Sequence, residues 1–252
     1  MQDYILEMKD ISKIYGNGIA ANKDVDFNLK KGEIHALVGE NGAGKSTLMK
    51  VLFGMEPPSS GKIILRGENV KFSSSKDAIA HGIGMVHQHF MLVESFTAAQ
   101  NIILGMEPKK GLFVSEEEAV RFTKELSSKY NLEVEAKAVT RTLPVGVKQK
   151  IEILKALARG AEILILDEPT AVLAPQETDQ LFEELIHLKE QGHTIVFISH
   201  KIPEIKRISD RITVMRAGCF VGCCETKDVT EKEISSMIMG LSLIHISEPT
   251  RR

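Results

Sequence analysis

Residues 39–47 read Gly39-Glu40-Asn41-Gly42-Ala43-Gly44-Lys45-Ser46-Thr47, a complete G-x-x-x-x-G-K-[ST] pattern, and no other stretch limits the possible folds as tightly. The pattern requires a strand before it and a helix after it. Ile34-His35-Ala36-Leu37-Val38 is a short apolar run that predicts a buried strand, and Leu48, Met49, Val51, Leu52 and Phe53 predict a helix that Gly54 can end. Gly39, Gly42 and Gly44 let the backbone fold tightly round an anion, so that consecutive N–H groups and the positive end of the helix face phosphates. Lys45 is then placed to reach the β- and γ-phosphates of a nucleotide, and Ser46 to hold Mg²⁺.

Composition removes several alternatives. In 252 residues, Lys+Arg 32 against Asp+Glu 34 gives a net charge of -2, so no global basic field recruits nucleic acid, and none is expected as a partner. No apolar run approaches the roughly 18 to 20 residues that cross a bilayer, so a membrane, if involved, lies beside this chain. Cys219, Cys223 and Cys224 cluster near the end without the paired spacing and fourth ligand of a zinc site, and read as free thiols. His87 and His89 form an H-x-H near His81, too few ligands for a metal.

Tyr4 to Lys9, Val25 to Leu29 and Lys62 to Arg66 alternate apolar and polar residues between turn signals, which predicts an antiparallel β layer beside the phosphate loop. Tyr15, between the first two of these, either stacks on a nucleotide base or covers a sheet edge. A strand from Gly84 to Gln88 is followed by a helical pattern from Thr97 to Gly160, where Ser115 and Glu118 form a capping box and Ala119, Phe122, Leu126 and Tyr130 share a face. This predicts an α-helical subdomain, about 91–160, inserted into an α/β core of 1–90 and 161–240. Its helix from Ile151 to Ala158 has Lys148, Lys150, Lys155 and Arg159 on and around it, which reads as a solvated face.

Ile163-Leu164-Ile165-Leu166 runs straight into Asp167 and Glu168. A wholly apolar run reads as a central parallel strand buried on both faces, and acids at its carboxyl end lie where ligands bind in open α/β sheets. The helix from Gln176 to Gln191 and the strand from Thr194 to His200 bring His200 to the same kind of position. Arg211 to Met215 and Cys219 to Cys223 complete the core, a mostly parallel phosphate-loop NTPase sheet.

Together these segments resemble the ATP-binding cassette of ABC transporters through Gly240. The likeness rests on GENGAGKST at 39–47, Gln88 after its strand, the signature-like LPVGVKQ at 143–149, and ILILDEPTAVL at 163–173 with His200 beyond. The resemblance implies ATP and Mg²⁺ as ligands. It makes Gln88 the glutamine that touches Mg²⁺ and the attacking water, Tyr15 a platform for adenine, Asp167 a Mg²⁺ partner and Glu168 the general base. His200 would contact the γ-phosphate, while Asn41, Gly42, Gly44, Lys45, Ser46 and Thr47 cradle the phosphates.

GIAANKDVDF, MVHQHFMLVESFTAAQNIILG and ILILDEPTAVLAPQE look more like the first cassette of two-cassette nucleoside importers than the ribose or galactose branch. That resemblance implies a second cassette paired head to tail, each ATP lying between one phosphate loop and the other cassette's signature, where Gly146 sits. It also implies transmembrane permease subunits gripped by the helical subdomain, an extracellular solute-binding protein, and a peripheral place on the cytoplasmic face of the membrane.

Two residues depart from the pattern. Pro144 stands where the signature has Ser and removes both hydroxyl and N–H, although proline suits a helix's first turn. Ala174 stands where many cassettes have an Asp. Other readings are a soluble ABC ATPase of DNA repair or translation, which would bring a long coiled coil or basic linker, and a non-hydrolysing regulatory cassette, against which Glu168 and His200 argue. A GTPase lacks its guanine-reading loop here.

Residues 241–252 fall after the likeness stops. LSLIHISEPTR resembles the peptide encoded by a transposase-type sequencing adapter, and such a tail is set aside before fold reasoning. The expectation is that the natural frame runs on into another cassette, which the genomic sequence would decide.

Overall fold

The computed structural model describes residues 4–106, 109–110 and 113–240, so the expected tail lies outside the described residues. The chain begins with β1 (Tyr4–Ile14), β2 (Ala20–Lys30) and β3 (Ile34–Val38), then α1 (Lys45–Leu52), β4 (Ser60–Leu65), β5 (Glu68–Val70), α2 (Ser75–Ala80) and β6 (Ile83–Val86). A mainly helical stretch follows: α3 (Ala98–Ile103), the short pair β7 (Lys109–Lys110) and β8 (Phe113–Val114), α4 (Glu116–Tyr130) and α5 (Val145–Ala158). The chain then returns to α/β order with β9 (Ile163–Asp167), α6 (Pro175–Glu190), β10 (Thr194–Ile198), α7 (Ile202–Ile208), β11 (Arg211–Arg216), β12 (Cys219–Glu225) and α8 (Glu231–Met239).

The larger sheet has the order β12-β11-β3-β10-β9-β6, parallel throughout except for edge strand β12. The smaller sheet, β2-β1-β4-β5, is antiparallel, as the alternation predicts. Helix α1 lies between the two. Its Leu48, Met49 and Leu52 share one core with Leu6, Phe27, Leu29 and Ile63 of the small sheet and Leu37, Ile165, Val196 and Ile198 of the large one. The opposite pleats of the same strands, Leu164, Leu166, Ile195 and Phe197, pack with residues of α4, α5 and α6. Successive residues of β9 and β10 thus enter different cores, which is why both strands are apolar without alternation. A third cluster joins Ala36, Val38, Ile212 and Val214 to Ile205 of α7 and Ile234 of α8.

Three expectations are corrected. Helix α5 begins at Val145, directly after Pro144, rather than at Ile151. The basic residues around it are not a solvated face. Lys148, Lys150 and Lys155 keep only 16%, 12% and 13% of their side chains exposed and pair with Glu94, Glu184 and Glu152; Arg159 donates to the Leu104 carbonyl at 2.6 Å. Lys155 pairs within its own helix, whereas Lys148 and Lys150 find acids of other segments, a match that one helix cannot display in its own sequence. Strands β6 and β10 also stop two residues early, leaving Gln88 and His200 in loops.

Candidate nucleotide site

Because β3, β6, β9 and β10 run parallel, their carboxyl ends open on one edge of the sheet. The phosphate loop leaves β3, Gln88 follows β6, Asp167 ends β9 and His200 follows β10. In register, Ile198 of β10 stands beside Leu37 on one side and Asp167 on the other, so the residues just beyond each strand meet at one level.

A cavity of about 450 Å³ lies there, lined by Asn41, Gly42, Gly44, Lys45, Ser46 and Thr47 of the loop together with Gln88, Glu168 and His200. Gly44 caps α1 in the left-handed region, at φ 95°. A Cβ there would fall 2.4 Å from the Ala21 carbonyl oxygen and 2.6 Å from Asn22 Nδ2. A Cβ on Gly39 would fall 2.2 Å from the Met215 carbonyl oxygen. Glycine is therefore demanded by packing behind the loop as well as by any ligand in front. Lys45 Nζ donates to the Gly39 and Glu40 carbonyls at 2.8 and 3.0 Å, and burial lowers its pKa against the pull of Glu168 and Asp167.

Ser46 donates to Asp167 Oδ1 at 3.3 Å. Burial pushes the Asp167 carboxyl above its usual range, the Ser46 bond pulls it back, and the Glu168 charge adds to the rise. Glu168 sits at φ 50°, a left-handed conformation uncommon for a residue with a Cβ. Its N–H donates to the Ile198 carbonyl at 3.1 Å, which ties the bend to β10. From there its carboxylate lies 2.9 Å from His200 Nδ1.

Four predicted residues do not line this cavity: Gly39 and Asp167 lie behind it, bonded to Lys45 and Ser46, while Tyr15 and Gly146 lie apart. The Tyr15 ring is half-buried outside the lining, with Lys13 Nζ 5.2 Å from its centroid. Gly146 lies in the first turn of α5, where its N–H donates to Glu177 Oε1 at 3.2 Å. Residues from other segments position the site. Asn22 is fully buried and donates to the Gly44 carbonyl at 3.1 Å. Thr170 donates to Glu204 at 2.6 Å, and Lys201 bonds both Glu204 and the Thr170 carbonyl, which joins the loop after Glu168 to the start of α7. No motif announces Asn22, and Thr170, although inside ILILDEPTAVL, finds its partners in a separate segment. Among the described residues no group of three or more His, Cys, Asp or Glu side chains could hold a metal.

A phosphate loop, an acid pair and a histidine on one edge of a parallel sheet, with a second antiparallel sheet and a helical insertion, define an ATP-binding cassette. The ABC transporter family profile matches residues 22–171, and the chain belongs to that family. It is 47% identical over 244 residues to the nucleoside import ATP-binding protein NupA of Lactococcus lactis, covering 97% of this chain and 48% of that protein. It is 48% identical over 238 residues to the guanosine import ATP-binding protein NupO of Bacillus subtilis, covering 94% and 46%. The chain thus spans about half the length of these relatives. The dimeric post-hydrolysis structure of the ATP-binding cassette MJ0796, bound to ADP and Pi, superposes with a TM-score of 0.75 at 26% identity, covering 88% of this chain and 98% of that one.

Proposed function

We propose that residues 1–240 form one ATP-hydrolysing cassette of an importer for nucleosides or simple sugars, acting head to tail with a second cassette on the cytoplasmic face of a membrane. Permease subunits would dock on the helical subdomain, and an extracellular solute-binding protein would deliver the substrate. The names of the two import relatives support the importer and point to nucleosides. The observation that carries the ATPase is the meeting of Lys45, Gln88, Glu168 and His200 on one cavity.

In this reading the loop amides and Lys45 hold the β- and γ-phosphates, and Tyr15 covers the adenine. Lys45 exchanges its two carbonyl bonds for phosphate oxygens, a charge-assisted gain. Glu168 accepts a proton from the water that attacks the γ-phosphorus; the bond to the bridging oxygen breaks, and ADP and phosphate leave. His200 orients the Glu168 carboxylate and faces the γ-phosphate.

Mg²⁺ fits the donor set. Hydroxyl, carboxylate and amide oxygens from Ser46, Asp167 and Gln88 suit a hard cation, and the upward push on Asp167 is one that a cation reverses. When bound, the ion supplies charge neutralisation around the γ-phosphate.

Titration with a fluorescent ATP analogue tests the site. Lys45→Ala is expected to abolish binding with folding retained. Unchanged affinity would place the nucleotide elsewhere.

A further inference from the structure

The start of α5 already holds an anion. Its first internal bond runs from the Lys148 N–H to the Pro144 carbonyl at 3.1 Å, so the amides of residues 145 to 147 lie outside the helical ladder. The Gly146 N–H goes instead to Glu177 Oε1 at 3.2 Å, while Glu177 Oε2 accepts from the Ala174 N–H at 3.0 Å. One carboxylate thus serves the N-termini of both α5 and α6, each of which favours negative charge. A Cβ on Gly146 would lie 2.8 Å from Glu177 Oε1, so the missing side chain leaves room for the carboxylate.

A cavity of about 220 Å³ opens beside this contact, lined by Pro144, Gly146, Gln149, Glu177 and Glu184 among others. Gln149 is 3% exposed, and its Nε2 has no hydrogen-bond partner. A buried donor left unpaired beside a helix mouth is a standing demand for an acceptor. The nearby Lys150 does not neutralise Glu177, because its Nζ lies 2.7 Å from Glu184.

We propose that Glu177 is an internal anion that competes with phosphate for the α5 N-terminus, and so sets how readily this signature closes on a nucleotide held by another cassette. The proposal rests on the head-to-tail reading above. An arriving phosphate must displace the carboxylate from the Gly146 N–H or lie beside it, and the charge at 177 opposes both. Pro144 sharpens the competition, since it offers neither N–H nor hydroxyl and leaves backbone amides as the donors of this turn.

Glu177→Gln separates the charge from the cap. Glutamine can still accept from the Ala174 N–H as capping-box residues do, but it carries no charge to hold at α5. Sedimentation velocity of the full chain, with and without a non-hydrolysable ATP analogue and Mg²⁺, reads the outcome. The parent chain is expected to self-associate only with the analogue, and Glu177→Gln to reach half association at roughly three- to tenfold lower protein concentration. The gap should narrow as NaCl rises, which a purely structural role would not produce. Analogue affinity of the monomer should be unchanged, because Glu177 does not line the cavity at the phosphate loop. Equal or weaker association of the variant overturns the role of Glu177. Failure of both forms to associate overturns the head-to-tail reading itself, and the proposal with it.

Discussion

Nδ1 of His200 lies 2.9 Å from Oε1 of Glu168, although 32 residues separate them. The pairing of β10 with β9 brings them together, and the left-handed turn at Glu168 aims its carboxylate toward the loop after β10. The imidazole is half exposed, whereas the carboxylate is largely covered. That is the order expected if one side chain greets an entering ligand and the other receives a proton.

Glu168→Gln should bind ATP as the parent does and hydrolyse it roughly 10² to 10⁴ times more slowly, the usual contribution of a positioned base. His200→Ala should also retain binding but lose less, because the carboxylate stays in place. Single-turnover phosphate release measures both, and a Glu168→Gln chain with parental turnover would move the base elsewhere.

Pro144→Ser should act on stability and on activity. Proline is the N-cap of α5 and makes no side-chain cap bond, whereas serine can accept from the third amide of the helix, a gain of about 1 kcal/mol. The melting temperature should rise accordingly. With a second cassette present, the added hydroxyl should also raise ATPase at the site that this signature completes. A lost preorganised donor costs about 3 to 4 kcal/mol in strong cases, so no gain would make the proline neutral there.

Gly84 tests how closely β6 approaches α5. Its φ is ordinary, yet a Cβ would fall 2.8 Å from Ala161 Cβ and 2.9 Å from Ala156 Cβ. Gly84→Ala should therefore destabilise the chain by about 1 to 3 kcal/mol through overpacking. Gly222→Ala, at a position with nothing within 4 Å of the added atom, is the matched control and should stay within about 0.5 kcal/mol. Urea unfolding distinguishes the two.

His35 makes stability depend on pH. Its ring is fully buried, with Nδ1 3.0 Å from Glu33 Oε1 and Nε2 2.7 Å from Thr213 Oγ1. Burial lowers its pKa, Glu33 works against the shift, Arg211 adds to it, and Glu225 opposes it weakly. The folded chain then binds fewer protons than the unfolded chain below the usual imidazole value of about 6.5, so stability falls as pH drops through that value. The melting temperature should be flat from pH 7 to 8 and decline below about 6.5. His35→Gln should flatten that decline; an unaltered slope would assign it to other groups.

Much of this chain was legible before folding because its signals are local. The phosphate loop fixes a strand–turn–helix within a few residues, and the ILILDE run states its two-sided burial in its own composition, since both pleats must be apolar. Glycine at 39 and 44, lysine at 45 and paired acids at 167 and 168 follow from what phosphates and a hard cation require.

What the sequence could not state was partnership at a distance. The lysines of α5 look solvated in one dimension, and only packing against Glu94 and Glu184 shows otherwise. Asn22 behind Gly44, Thr170 on Glu204 and Glu177 on Gly146 each join segments with no shared periodicity. Strand order decided those pairs. A hydrogen bond is set within tenths of an ångström by the relative placement of two backbones, whereas the pattern of a strand or helix is set by which of its own faces must leave water.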